Sequence, residues 1–237
     1  MKEKTYKIVE MYETLQGEGF FAGHPIYLIR FKGCNVWNGN PDDRHKSKAM
    51  CGLWCDTDFV NVKKDKFGGT YTLTELEDHL LVSTDHYRTP IILLTGGEPL
   101  LQIDTELLVS LIDMGYQVNI ETNGSQDFTQ ILNTLDLIMQ DETTAFGKLW
   151  VTISPKPPLA IHESAYKLPF NIVELKCVLD KQHMDPNQYT DLNCLVRYVQ
   201  PLDLQKTTNL KECIEFVLSS KGTFALSTQA HKVWNIE

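Results

Sequence analysis

Thr89-Pro90-Ile91-Ile92-Leu93-Leu94-Thr95-Gly96-Gly97-Glu98-Pro99 is the stretch that decides the fold. Its apolar run shows no polar alternation, which predicts a strand over residues 89–94 buried on both faces, as in a parallel sheet; the run ends abruptly at glycine and proline. The same ending recurs on either side. Residues 26–31 predict a strand that runs into Gly33-Cys34, and residues 117–120 one that runs into Glu121-Thr122-Asn123-Gly124. Residues 149–153 lead into Ser154-Pro155-Lys156-Pro157-Pro158, and residues 195–199 into Gln200-Pro201. Further strands are predicted over 137–139 and 171–178, with a last segment over 223–227. Helices are predicted over 73–81 (with Thr72 or Thr74 near its start), 105–114, 128–135 and 210–218. Strands alternating with helices, in about six units, predict an α/β fold: a partial (βα)6-type barrel of mainly parallel strands. The polar motifs follow the strands, so they should gather on one sheet edge, where barrel enzymes carry their catalytic loops. A single domain over residues 1–237 is expected, with a loop insertion at about 34–57 whose residues 35–50 are polar and turn-rich and show neither helical nor strand periodicity.

The totals exclude several classes of function. With 237 residues, 42% of them hydrophobic, the chain can bury a substantial core. Its 22 Lys+Arg against 31 Asp+Glu give a formal charge of −9, which argues against a broad phosphate-binding surface and hence against direct nucleic-acid binding. No apolar run reaches the roughly 18 residues that cross a bilayer. The N-terminus lacks the apolar stretch of a secretory signal, so no membrane partner and a cytoplasmic location are expected.

Six cysteines in a reducing compartment are not expected to form disulfides. Cys177, Cys194 and Cys213 are scattered through strand and helix patterns and read as core. Cys34, Cys51 and Cys55 sit together in the insertion. Three thiolates on one loop suit a cubane iron–sulfur cluster, holding three irons and leaving the fourth open to a small molecule. The same spacing also suits a non-catalytic zinc module built on Cys51, Cys55 and His45. Cysteine spacing does not separate the two.

The ordered motifs do more. Thr14-Leu15-Gln16-Gly17-Glu18-Gly19, Gly33-Cys34-Asn35 and Trp54-Cys55-Asp56-Thr57 open a series that continues through Thr95-Gly96-Gly97-Glu98-Pro99, Glu121-Thr122-Asn123-Gly124, Ser154-Pro155-Lys156, Glu174-Leu175-Lys176, Gln200-Pro201 and Gln229-Ala230-His231-Lys232. In this order the chain resembles the 7-carboxy-7-deazaguanine synthases of the radical S-adenosylmethionine superfamily. One feature departs from the superfamily's common CxxxCxxC: here sixteen residues separate the first two cysteines and three the last two. The Gly52-Leu53-Trp54 tripeptide must therefore turn differently.

The resemblance implies a carbon–nitrogen lyase that converts 6-carboxy-5,6,7,8-tetrahydropterin to 7-carboxy-7-deazaguanine with loss of ammonia. It implies three cofactors: a 4Fe-4S cluster on Cys34, Cys51 and Cys55, S-adenosyl-L-methionine, and Mg²⁺ on Thr57. Gly97 would let backbone approach S-adenosylmethionine and Glu98 accept from its ammonium. Asn123, Ser154, Pro155 and Lys156 would contact its ribose or methionine part. Trp54 backbone would lie against the adenine, and Gln200, Pro201, Leu202 and Asp203 would close near it. Leu15, Gln16, Gly17, Glu18 and Thr95 would read the pterin, while Arg30 forks its carboxylate. His231 is the candidate for proton transfer among seven histidines. A reductase or flavodoxin-type electron donor and a homodimer are implied as partners. The alternative within the superfamily is an activase acting on a partner protein, which shares the cluster and the Gly-Gly-Glu loop but does not need residues 15–18, Arg30 or Thr57.

Overall fold

The computed structural model describes residues 3–84, 89–138, 147–180, 182–202 and 208–236. In chain order the strands and helices are β1 (Tyr6–Leu15), β2 (Pro25–Phe31), β3 (Gly69–Tyr71), α1 (Leu73–Ser83), β4 (Ile91–Gly96), α2 (Thr105–Asp113), β5 (Gln117–Thr122), α3 (Thr129–Ile138), β6 (Leu149–Ile153), β7 (Val173–Leu179), β8 (Val196–Pro201), α4 (Leu210–Ser219), β9 (Ala225–Leu226) and α5 (Ala230–Trp234). The strands form one nine-stranded sheet in the order β3-β1-β2-β4-β5-β6-β7-β8-β9. From β2 to β9 every neighbouring pair is parallel, and only β1 runs antiparallel, to β2 and β3. The sheet is open, with β3 and β9 as its edges, which agrees with the partial barrel read from the alternation.

The central strands are buried on both faces, as their unbroken apolar runs require: Ile92, Leu94, Val118, Ile120, Val151 and Ile153 are each fully buried. Helices α1, α2 and α3 cover the sheet and supply Leu76, Leu80, Leu107, Leu111, Ile131 and Leu135 to the main core. Local chemistry starts them. Thr72 caps α1 in a full capping box with Glu75, and Asp104 caps α2 through the Leu107 amide. Cys177, Cys194 and Cys213 are buried, as read.

Several boundaries differ from the sequence reading. Residues 137 and 138, expected in a strand, continue α3, because Ile131, Leu135 and Ile138 repeat at helical spacing and face the core; residue 139 lies outside the described residues. β1 was not anticipated: a register shift between Ile8 and Glu10 breaks the two-residue alternation, so Ile8, Val9 and Met11 are all buried and the pattern reads as irregular. β4, β5 and β8 run further than expected, which puts Thr95, Glu121 and Gln200 on the strand ends themselves. The insertion carries two short 3-10 turns, Pro41–Lys46 and Met50–Leu53. Val36, Trp37, Ala49 and Cys51 of the insertion form a small separate core with Phe59 just beyond it.

The middle of β5 has no slack. Ile120→Ala should cost about 2–5 kcal/mol of stability and lower the thermal midpoint by roughly 5–15 °C; a scanning-calorimetry shift under 2 °C would contradict the packing described.

Candidate active site

The strand ends and their loops enclose one cavity of about 480 Å³. Cys34, on the loop after β2, lines it together with Cys51 and Cys55, and all three thiols are free. Burial raises the Cys34 and Cys51 thiols, Cys51 to about 11, and each also feels Cys55. The close approach of two loops builds this corner. A Cβ on Gly97 would lie 2.2 Å from Gly33 O and 2.7 Å from Cys34 Cβ, so only glycine fits there, and the Glu98 amide donates to Gly33 O at 3.0 Å. Trp54, Thr57, Asn123, Ser154 and Lys156 line the same cavity. Lys156 donates to Ser154 Oγ at 2.7 Å and sits 5.7 Å from the Trp54 ring centre.

The opposite wall is ionic. Lys176, in the middle of β7, is 5% exposed and pairs with Glu18 and, at 3.6 Å, with Glu121. Burial works against its charge, but Glu121, Glu18 and Glu174 outweigh it and hold the ammonium well above its ordinary value. Burial likewise works against Glu18, whose carboxyl Lys176 nevertheless holds low, with Gln229 and Gln200 adding hydrogen bonds. Glu121 accepts from Gln16 Nε2 at 3.1 Å and from Thr95 Oγ1 at 3.2 Å. Leu15, Gln16, Gly17, Glu18, Arg30, Thr95, Gln200 and His231 all reach the cavity. The C-terminal segment is tied over its mouth by the Ala230 amide to Gly17 O (2.8 Å), Gln229 to Glu18 (2.9 Å) and Lys232 to Asp56 (2.9 Å).

Some expected site residues are placed otherwise. Glu98 is fully buried and does not line the cavity: it accepts from Thr122 Oγ1 at 2.7 Å, the Asn123 amide at 2.8 Å and the Leu100 amide at 3.0 Å. Desolvation pushes it up to about 6. It ties the end of β4 to that of β5 instead of presenting a free acceptor. Arg30 is already engaged, its Nε on Glu10 at 2.7 Å, while Lys63 holds the other Glu10 oxygen at 2.7 Å. Pro155 lines a small adjoining hollow beside Cys51 and Trp54, and neither Pro201 nor Leu202 lines the main cavity. The Leu202 amide donates to Asn209 Oδ1 at 2.8 Å, and Asp203 lies outside the described residues. Lys176 and Glu10 were missed as site residues. For Lys176 the available signal was a charge inside a strand otherwise buried on both faces, which requires a buried partner; Glu10 gave no such signal, because its strand was itself not legible.

An open parallel sheet with three free thiols and an acidic–basic wall at its carboxyl edge defines the class: an α/β protein of the partial-barrel type with a cysteine loop at its active edge. Its fold is similar to that of a structure described as the crystal structure of QueE from Escherichia coli, with a TM-score of 0.64 at 23% identity, over 96% of this chain and 95% of that one. The 7-carboxy-7-deazaguanine synthase of Burkholderia multivorans is 33% identical over 238 residues, 98% of this chain and 99% of the relative. That of Caulobacter vibrioides is 31% identical over 230 residues, 96% and 97% of the two chains. No family model matches the chain. The chain belongs to the 7-carboxy-7-deazaguanine synthase family.

One further carboxyl controls the electrostatics of the ionic wall. Glu174, two residues before Lys176 on β7, is 2% exposed; its Oε2 accepts from the Phe20 amide at 3.0 Å and Trp150 Nε1 at 3.3 Å, and its Oε1 has no partner among the described residues. Desolvation, only partly offset by Lys176, raises it to about 7. Between about pH 4.5 and 7 the unfolded chain releases this proton and the folded chain keeps it, so stability falls as pH rises through that window. Glu174→Gln should remove on the order of 2 kcal/mol of that fall; equal slopes of midpoint against pH in parent and variant would reject a protonated Glu174.

Proposed function

We propose that this chain is a radical S-adenosylmethionine lyase that converts 6-carboxy-5,6,7,8-tetrahydropterin to 7-carboxy-7-deazaguanine with loss of ammonia, within 7-deazapurine biosynthesis of the queuosine type. The observation that carries the reading is the shared cavity, in which three free cysteines face the Lys176–Glu18–Glu121 wall.

The residues present fit a cluster better than a single ion. Among the described residues no three His, Cys, Asp or Glu side chains stand close enough to hold one metal ion, yet the three thiols line one space. Spread ligands of this kind suit a polynuclear cluster, while exposed His45 lies outside the cavity and does not complete a zinc site with Cys51 and Cys55. The indole N–H groups of Trp37 and Trp54 are buried without partners beside the cysteines, where a group rich in acceptor sulfur would engage them. With Cys34, Cys51 and Cys55 as ligands, a 4Fe-4S cluster with an open iron would supply the electron that opens the sulfonium of S-adenosylmethionine.

The chain's own groups then bind and orient. Asn123, Ser154, Lys156, Gln200 and the Gly97 and Trp54 backbones hold S-adenosylmethionine, and buried Glu98 fixes Asn123 through its amide. Gln16 and Glu18 read the donor–acceptor edge of the pterin, where an unmatched buried group would reject analogues. Arg30, oriented by Glu10, meets the substrate carboxylate, and the Thr57 hydroxyl would hold Mg²⁺, which would help to fix that carboxylate. Lys176 keeps its proton on Nζ and faces the substrate as a fixed cation, while His231 stands at the mouth for proton transfer. The chain works as one domain and as a homodimer in the cytoplasm, reduced by a flavodoxin-type donor or a reductase. Glu18, Arg30 and Thr57 at the cavity favour a small pterin over an activase's partner protein.

Reconstituted anaerobically and reduced, the protein should turn 6-carboxytetrahydropterin into 7-carboxy-7-deazaguanine, read by mass spectrometry, and Cys55→Ala should abolish the product. S-adenosylmethionine cleavage without deazaguanine would overturn the substrate; a cluster-loaded protein inert to both would overturn the reaction class.

A further inference from the structure

The long segment between the first two cysteines has no part in the reaction as derived, yet it grips the other two. Arg44, on the turn Pro41–Lys46, donates Nη1 to Gly52 O at 2.7 Å and Nη2 to Cys55 O at 3.0 Å. Its guanidinium lies 4.8 Å from the ring centre of buried Trp37, which packs edge-on against Phe59. On the gripped side, Cys51 stands in the 3-10 turn Met50–Leu53, and the Cys55 amide just beyond it donates to Cys51 O at 2.7 Å, which closes the backbone between the two cysteines. Contact between the two turns leaves no gap: a Cβ on Gly52 would lie 2.2 Å from Ser47 Oγ and 2.3 Å from Ser47 Cβ.

We propose that Arg44 is a positioning residue for the cluster, holding the Cys51–Cys55 turn in its ligating shape before the cluster arrives, and that the long insertion is the brace which the three-residue gap requires. The inference rests on the cluster assignment above. The three residues between Cys51 and Cys55 hold the end of a single 3-10 turn with no helix after it, so the Gly52 carbonyl and the Cys55 carbonyl beyond the turn have no intrahelical donors. A guanidinium fork supplies two at once, in a fixed plane already stacked on Trp37; an ammonium on a flexible stem cannot span both carbonyls.

Arg44→Met and Arg44→Lys in the full chain test this with two readouts besides activity. In the cluster-free protein, amide hydrogen exchange over residues 52–57 should quicken by roughly 10-fold or more in both variants, while exchange in β4 and β5 and the thermal midpoint stay at parent values. In the reconstituted protein, loss of the 400 nm absorbance to an iron chelator should also be roughly 10-fold faster. Exchange and chelator half-lives within twofold of the parent in Arg44→Met would overturn the proposal, as would full restoration of both by lysine, since charge alone would then suffice. If Arg44→Met does not fold, Arg44→Lys, which keeps charge and stem, decides by the same readouts. A parent that takes up no cluster sinks the cluster assignment, and the exchange arm still decides whether Arg44 is a brace.

Discussion

A lysine ammonium in the middle of a buried strand constrains everything around it. Lys176 stands on β7 with Glu18 from the β1–β2 loop and Glu121 from β5 against it. An uncompensated charge at that depth costs several kcal/mol, so the loop carrying Glu18 must close over the sheet for the fold to be stable. Once it closes, Gln16 reaches Glu121 and Gln229 reaches Glu18, and the C-terminal segment is drawn over the cavity. One buried cation thereby sets the floor, one wall and the cover of the site. Glu174 shows the limit of the arrangement. It shares a face with Lys176, two residues away, and Glu18 and Glu121 already exceed the lysine's charge by one. Burial is the main reason for it to keep its proton, and the Glu121 carboxylate adds a smaller repulsion, while Lys176 offsets the two only in part.

What could be read from the sequence follows from which interactions are local. The strands that end in Gly33-Cys34, Gly96-Gly97 and Thr122-Asn123 were legible because burial on both faces writes an unbroken apolar run and a turn writes its glycine. β1 was not legible, because its bulge scrambles the alternation that a single chain can display. Residues 137–138 were misread because three apolar residues suit strand or helix equally until the spacing back to Ile131 and Leu135 is counted. The cysteines announced themselves by spacing. Lys176 did not, since its meaning lies in partners 158 and 55 residues away in the chain. The role expected of Glu98 changed for the same reason: a carboxylate beside two glycines looks available until Thr122, Asn123 and Leu100 are found on it.

Sixteen residues between the first two cysteines, where three are common, look like a liability for a loop that must hold its shape. The entropy says otherwise. Loop-closure cost grows by only about 0.6 kcal/mol per doubling, so lengthening the gap from three residues to sixteen adds roughly 1.5 kcal/mol. Burying one large apolar side chain returns about 1.5–3 kcal/mol, and the gap buries Val36 and Trp37 in a core, completed by Phe59, that is separate from that of the sheet. Lys48 N to Val36 O at 2.9 Å closes that core on itself, and two further backbone bonds fasten it to the loops at the strand ends: Gly33 N to Phe59 O at 3.0 Å and Met50 N to Pro157 O at 3.3 Å. The cysteine loop is therefore a small self-packed unit set on the sheet edge. Its geometry depends on its own contacts more than on the length of chain between the cysteines, which is why their spacing can depart from the superfamily's common pattern while the three thiols still line one cavity.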